Sequence, residues 1–189
     1  MAEDMYGGTY RLASKVVERF GVTFSYVDMR DPANVAAAIT PSTKMIYTET
    51  PTNPMMTITD IAAVATIARS HNALLVVDNT FASPFFQRPL TLGADIVLHS
   101  ATKYLGGHSD LVHGIVAVKD TSLAERLQFI QNAVGAVPGP FECWLCLRSV
   151  KTLEIRMQRH AANAQKMAEV LAQRDDILAV HYPGLPSHP

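Results

Sequence analysis

At 189 residues, 48% of them hydrophobic and 17% charged, the chain holds enough apolar material for the core of one globular unit and too little charge for a disordered segment. A formal net charge of -1, with both signs scattered, excludes the basic footprint of a nucleic-acid or acidic-membrane binder and leaves a small molecule as the expected partner. Cys143 and Cys146 flank Trp144 on one helical face without the further ligands of a metal site, and Met1-Ala2-Glu3-Asp4 is no signal or anchor, so a reducing, cytoplasmic setting without a membrane span is expected.

Apolar β-rich runs alternate with helical patterns along the chain. Thr23–Val27 predicts a first strand. Asp31-Pro32 opens a short helix through Ile39, with proline in its first turn. Met45–Thr48 predicts the next strand. Asp60 then precedes Ile61, Val64, Ala65, Ile67 and Ala68, a polar cap leading into an apolar stripe at helical spacing. Leu74–Asp78, Ile96–His99 and Ile115–Val118 predict three more strands. This alternation specifies an α/β fold with a mostly parallel sheet covered on both faces. Phe141 to Arg174 runs without Gly or Pro and outlasts an ordinary globular helix, so a bend or break is expected within it. Ile177–Tyr182 predicts a last strand, and Pro183–Pro189 an irregular stretch. A strand without a successor implies further sequence. The expected division is residues 1–140 as one domain and 141–189 as a linking helix with the start of another.

Three polar clusters fall where strands end: Glu49-Thr50-Pro51-Thr52-Asn53-Pro54, Asp78-Asn79-Thr80 and Ser100-Ala101-Thr102-Lys103. Open α/β sheets bind ligands beyond the carboxyl ends of their strands, so all three should face one crevice. Lys103 taken alone reads as a surface lysine. With the Ser100 and Thr102 hydroxyls beside it and Gly106-Gly107 allowing a tight turn, it reads as a Schiff-base lysine held against a phosphorylated cofactor. Asp78 could simply cap the following turn, but a carboxylate closing Leu-Leu-Val-Val needs a cationic partner, and a pyridinium nitrogen would serve. Asn53, between two prolines, is either a turn residue or an amide that binds a cofactor phenolic oxygen or a substrate carboxylate. In Tyr6-Gly7-Gly8-Thr9-Tyr10-Arg11 the glycines would let an aromatic ring lie against a flat ligand, and the Arg11 fork could clamp a carboxylate.

Glu3-Asp4-Met5-Tyr6-Gly7-Gly8-Thr9, Glu49-Thr50-Pro51-Thr52-Asn53-Pro54, Val77-Asp78-Asn79-Thr80-Phe81 and His99-Ser100-Ala101-Thr102-Lys103-Tyr104 together resemble the Cys/Met-metabolism family of pyridoxal phosphate enzymes. Pro138-Gly139-Pro140-Phe141 and Tyr182–Pro189 resemble further landmarks of it. The resemblance implies the aspartate-aminotransferase-type fold, with Lys103 bonded to pyridoxal 5'-phosphate and later moving protons, and Asp78 paired with the ring nitrogen. It also implies that Thr80 supports the ring near Asp78 and that Ser100 and Thr102 hold the phosphate. Tyr6 would stack on the cofactor and assist proton transfer, Asn53 would reach the phenolic oxygen and substrate carboxylate, and Arg11 would lie near the far end of the substrate. Family members extend beyond this chain at both ends, and the resemblance implies a homotetramer at full length.

The activity so implied is transsulfuration of amino-acid substrates, foremost cystathionine γ-lyase, which yields cysteine, 2-oxobutanoate and ammonia. Cystathionine γ-synthase is the close alternative, followed by methionine γ-lyase and cystathionine β-lyase. A non-catalytic fragment is the alternative of another class. A nucleotide-binding domain is disfavoured, since no Gly-rich fingerprint opens a helix after the first strand.

Overall fold

In the computed structural model, which describes residues 1–188, the strands form one four-stranded sheet: β1 (Met45–Glu49), β2 (Leu74–Asp78), β3 (Ile96–Ser100) and β4 (Gly114–Val118), in that spatial order. β1–β2 and β2–β3 pair in parallel and β3–β4 antiparallel. The register sets Glu49 opposite Asp78, and Ser100 opposite Gly114. Since β1, β2 and β3 run the same way, Glu49, Asp78 and Ser100 all close strands at the carboxyl edge. There, parallel sheets place their ligands.

The helix on the sheet forms for the reasons its sequence suggests. The Asp60 side chain accepts the Ala63 N–H at 3.0 Å and opens α1, here Ile61–Ser70. That helix buries Ile61, Val64, Ala65 and Ala68 in one cluster with Ile46, Leu75, Val77 and Val97. Val64, Leu75 and Val77 are wholly shielded, each contributing ~1.5–3 kcal/mol relative to exposure. Val76 and Ile96, on the opposite face by strand alternation, are buried as well. A smaller cluster of Ala101, Leu105, Leu111 and Cys146 ties the segment after β3 to the helix Pro140–Ser149.

The short helix Pro32–Ala38 begins as expected, with the Asp31 side chain accepting from Ala33 N–H. The long helical pattern breaks. Pro140–Ser149 is followed by a 3-10 turn, Val150–Thr152, and then by the helix Leu153–Leu171. Side chains hold the break: Thr152 Oγ1 and Arg156 Nη2 both donate to the Ser149 carbonyl, at 3.1 and 3.0 Å.

Two expected strands do not form. Thr23–Val27 makes a single bridge, Val27 with Ala2, because only Met1–Glu3 lies between it and β1, and three residues are too few for a ladder. Ile177–Tyr182 is irregular, and Leu178 is fully exposed, for no sheet edge lies beside it. Besides the short helix Ser83–Phe86, two longer helices were not visible in the pattern. Gly7–Lys15 starts with two glycines, poor helix formers, and Thr121–Val134 buries none of its residues, so its apolar positions mark no core face. Pro189, the last residue of the expected irregular stretch, lies outside the described residues. Among the described residues no helix is long and apolar enough to cross a membrane.

Candidate active site

β2 ends in a buried carboxylate with a defined set of donors. Asp78 is 7% exposed, and its Oδ1 accepts the Thr80 hydroxyl at 2.6 Å and the Thr80 N–H at 3.0 Å. Thr80 Oγ1 in turn accepts the Ser100 N–H at 2.8 Å, which couples the ends of β2 and β3 through one hydroxyl. The other oxygen, Oδ2, receives only the Tyr47 hydroxyl, at a long 3.4 Å. Burial and the adjacent Asp78 charge both raise the Tyr47 pKa, so this phenol stays protonated and donates. The two ion pairs among the described residues, Arg30–Asp28 and Arg174–Asp176, leave Asp78 without a cation. A buried carboxylate with one nearly free oxygen is suited to a cationic ring nitrogen.

The lysine sits on a tightly wound turn. Lys103 N–H donates to the Ser100 carbonyl at 3.0 Å, Gly106 N–H to Ala101 at 2.7 Å, and Gly107 N–H to Lys103 at 2.6 Å. A Cβ on Gly106 would stand 2.7 Å from the Ala101 carbonyl oxygen, and Gly107 has φ +71° with the Arg156 guanidinium packed where its Cβ would be. Arg156 Nη1 donates to the Tyr104 carbonyl at 2.7 Å, so the helix Leu153–Leu171 pins the turn from the far side. The Lys103 side chain itself is exposed and opens on a cavity of about 530 Å³ lined by Thr102, Tyr104, Phe81, Val112 and His160.

The two hydroxyls expected to hold a phosphate differ. Ser100 Oγ has no hydrogen-bond partner among the described residues, whereas Thr102 Oγ1 accepts the His113 N–H at 3.0 Å and donates to the His113 carbonyl at 3.3 Å. Thr102 would have to give up that long second bond to reach a phosphate. Its present partner is the segment leading into β4.

Past β1 the chain forms a threonine-rich loop. Thr48, Thr50, Thr52 and Thr59 are all buried and bonded within it: Thr48 Oγ1 to Thr59 Oγ1 at 3.1 Å, Thr59 N–H to Thr50 Oγ1 at 3.0 Å, and Thr57 N–H to Thr52 Oγ1 at 2.8 Å. Thr52 Oγ1 also donates to Asp4. Asn53, at the tip, is half-buried, and its carboxamide makes no hydrogen bond among the described residues. Glu49, 4% exposed, accepts the Tyr6 N–H at 2.8 Å and the Asn53 N–H at 2.9 Å. Burial lifts its pKa to about 7, and the neighbouring Asp78 charge adds to the rise.

Tyr6 caps the helix Gly7–Lys15 and is half exposed, its ring folded over Gly8, where a Cβ would collide with it. Arg11 lies exposed on that helix and bonds to no other candidate residue. The structure therefore gathers Asp78, Thr80 and Ser100 in one network and joins Tyr6 and Asn53 through Glu49, while Lys103 stands on the turn continuing from Ser100. Glu49 and Arg156 are the residues whose roles the sequence did not disclose. Glu49 carries the same signal as Asp78, a carboxylate closing an apolar strand; Arg156 carries none, since its partner carbonyl is 52 residues away.

These groups fit pyridoxal phosphate: among the described residues, a carboxylate without a cation for the ring nitrogen, an amine without a partner for the aldehyde, a hydroxyl without a partner for the phosphate and an unbonded carboxamide near the loop tip. The family model described as Cys/Met metabolism PLP-dependent enzyme matches residues 1–189. The chain is 55% identical over 187 residues to a probable cystathionine γ-synthase of Herpetosiphon aurantiacus, covering 99% of this chain and 59% of that protein. It is 51% identical over 189 residues to the cystathionine β-lyase of Lactococcus lactis subsp. cremoris, covering 100% of this chain and 50% of that protein. The crystal structure of cystathionine γ-lyase from Lactobacillus plantarum complexed with L-serine superposes with a TM-score of 0.98 at 53% identity, covering 100% of this chain and 49% of that one. The chain thus spans about half the length of these relatives.

Proposed function

The chain belongs to the Cys/Met metabolism family of PLP-dependent enzymes, and from that premise we propose that it carries the cofactor-binding half of a transsulfuration enzyme acting on sulfur amino acids. The reading is supported by one observation above others: among the described residues the Lys103 amine has no hydrogen-bond or ion-pair partner and the buried Asp78 no cation, and Lys103 stands on the turn directly after β3, beside the strand that Asp78 ends.

Bound pyridoxal phosphate supplies an electron sink for the pair released when a bond at the substrate α-carbon breaks. The Lys103 Nζ would hold the aldehyde and, as a free amine, could accept the substrate α-proton and donate it to a neighbouring carbon. Asp78, oriented by Thr80, would keep the ring nitrogen protonated. Ser100, and Thr102 on giving up its bond to the His113 carbonyl, would hold the phosphate. Tyr6 would lie against the ring, the Asn53 carboxamide would bind the phenolic oxygen or substrate carboxylate, and Arg11 would attract the distal end of the substrate. Residues from 141 onward link this unit to a second one, a reading supported by the helix Leu153–Leu171 burying only Met157 and Ala168.

Within the family we favour cystathionine γ-lyase, with cystathionine γ-synthase as the second reading, favoured by the 55% identity to the probable synthase. Both need the same α- and β-proton transfers, which Lys103 serves equally. Product analysis on protein of the relatives' length separates them. Cysteine, 2-oxobutanoate and ammonia from cystathionine support the lyase, and cystathionine from a homoserine ester plus cysteine supports the synthase. Binding of the cofactor without either product would favour a non-catalytic role.

A further inference from the structure

Glu49 is a strand residue whose two carboxylate oxygens serve two distant backbone amides, one in the segment that starts the Gly7–Lys15 helix and one at the tip of the threonine loop. Neither bond belongs to a helix or sheet ladder. The two N–H donors fall on different oxygens, Tyr6 on Oε2 and Asn53 on Oε1, so in this geometry a glutamine would set its NH2 against one of them. The arrangement is costly, for Glu49 is 4% exposed and forms no ion pair among the described residues. Its charged neighbours are carboxylates too: Asp78 on β2, directly opposite in the register, and Asp4 on the N-terminal segment, with the Tyr47 phenol on β1. Buried charge of one sign without compensation is disfavoured for folding alone.

We propose that Glu49 is a positioning residue of the candidate active site, holding the Tyr6 ring and the Asn53 carboxamide in fixed relation to Asp78 by gripping both backbones at once. The proposal deepens the active-site reading above and rests on it. Tyr6 and Asn53 come from segments 47 residues apart in the chain, and among the described residues no other side chain bonds to both. Losing one oxygen frees one of the two segments. Protonation has the same effect in part, since a neutral carboxyl is a weaker acceptor for the amide at its O–H oxygen. Burial raises the carboxyl to about 7, so the grip loosens within the range where such an enzyme would be assayed.

The test follows the backbone amide signals of Tyr6 and Asn53 in ¹⁵N-labelled protein against pH, without cofactor. The two should shift with one shared midpoint near neutrality, and Glu49→Gln should abolish the shared transition. Independent midpoints, or a transition that persists in E49Q, overturn the proposal; should E49Q not fold, the wild-type titration alone decides. In the loaded protein of the relatives' length, E49Q should lower kcat/KM roughly tenfold or more and remove the acid limb near pH 7, while the visible cofactor band remains. An unchanged rate and pH profile in E49Q would equally overturn it. The amide titration needs no cofactor, so it stands or falls separately from lysine labelling, which tests the active-site reading.

Discussion

The two halves of the site are built in opposite ways. At the ends of β1 and β2, Glu49, Asp78 and the threonines are buried and hydrogen-bonded, so geometry is fixed before any ligand arrives. On the turn after β3 the backbone is equally fixed, by Gly106, Gly107 and Arg156, yet the Lys103 side chain is exposed and free. The first region holds charge in place and the second leaves an amine mobile. In the proposed roles, a lysine that bonds, detaches and carries protons would need that freedom, and a carboxylate balancing a ring would need to stay fixed.

The largest expected effect breaks the mobile half. In protein of the relatives' length, Lys103→Ala should reduce turnover by at least about 10³-fold, since general acid-base transfer alone is worth roughly 10²–10⁴, while phosphate contacts still retain some cofactor. Steady-state rates against wild type check this, and turnover within tenfold would remove Lys103 from the chemistry. Asp78→Asn comes next. The amide keeps the Thr80 geometry on one oxygen but cannot balance a protonated ring, and the α-proton exchange rate should fall about 10²–10³-fold. An unchanged exchange rate would show that Oδ2 has another role.

How much of this could be read from the sequence divides along the same line. The strands ending at Asp78 and near Ser100, the Asp60 cap and the three polar clusters were legible, because alternation, apolar runs and caps are local signals. The proposed site residues Lys103 and Asp78 stand out by strand-end position. What was not legible depends on partners far along the chain. Thr23–Val27 has strand composition but no neighbour to ladder with, and Ile177–Tyr182 likewise. Thr102 was expected to be free, and its bonds to His113 come from the β3–β4 register. Arg156 and Glu49 act on backbones that no spacing rule connects to them.

Smaller effects sharpen the contrast through stability. Gly107→Ala places a side chain at φ +71° against Arg156 and should cost ~1–3 kcal/mol, whereas Gly114→Ala, with open space around its Cβ, should cost under about 1 kcal/mol. Denaturant unfolding of both variants checks this, and equal losses would mean that the turn is not tightly packed. Glu49 gives a signal that depends on pH. Its folded pKa of about 7 lies above the ordinary 4.5, so the native state binds the extra proton between those values, and stability falls as pH rises through that window. The loss is at most ~3 kcal/mol and should be missing in E49Q. Unfolding measured from pH 4.5 to 8 in both proteins would show it; a wild-type slope shared by E49Q would assign the dependence to other groups.

Borohydride reduction in the presence of pyridoxal phosphate, followed by peptide mapping, asks whether Lys103 is the amine that holds the cofactor. A stable pyridoxyl label on Lys103, absent from Lys103→Ala protein, is expected. A label concentrated on Lys15, Lys44 or any other lysine, with Lys103 unmodified, would contradict it.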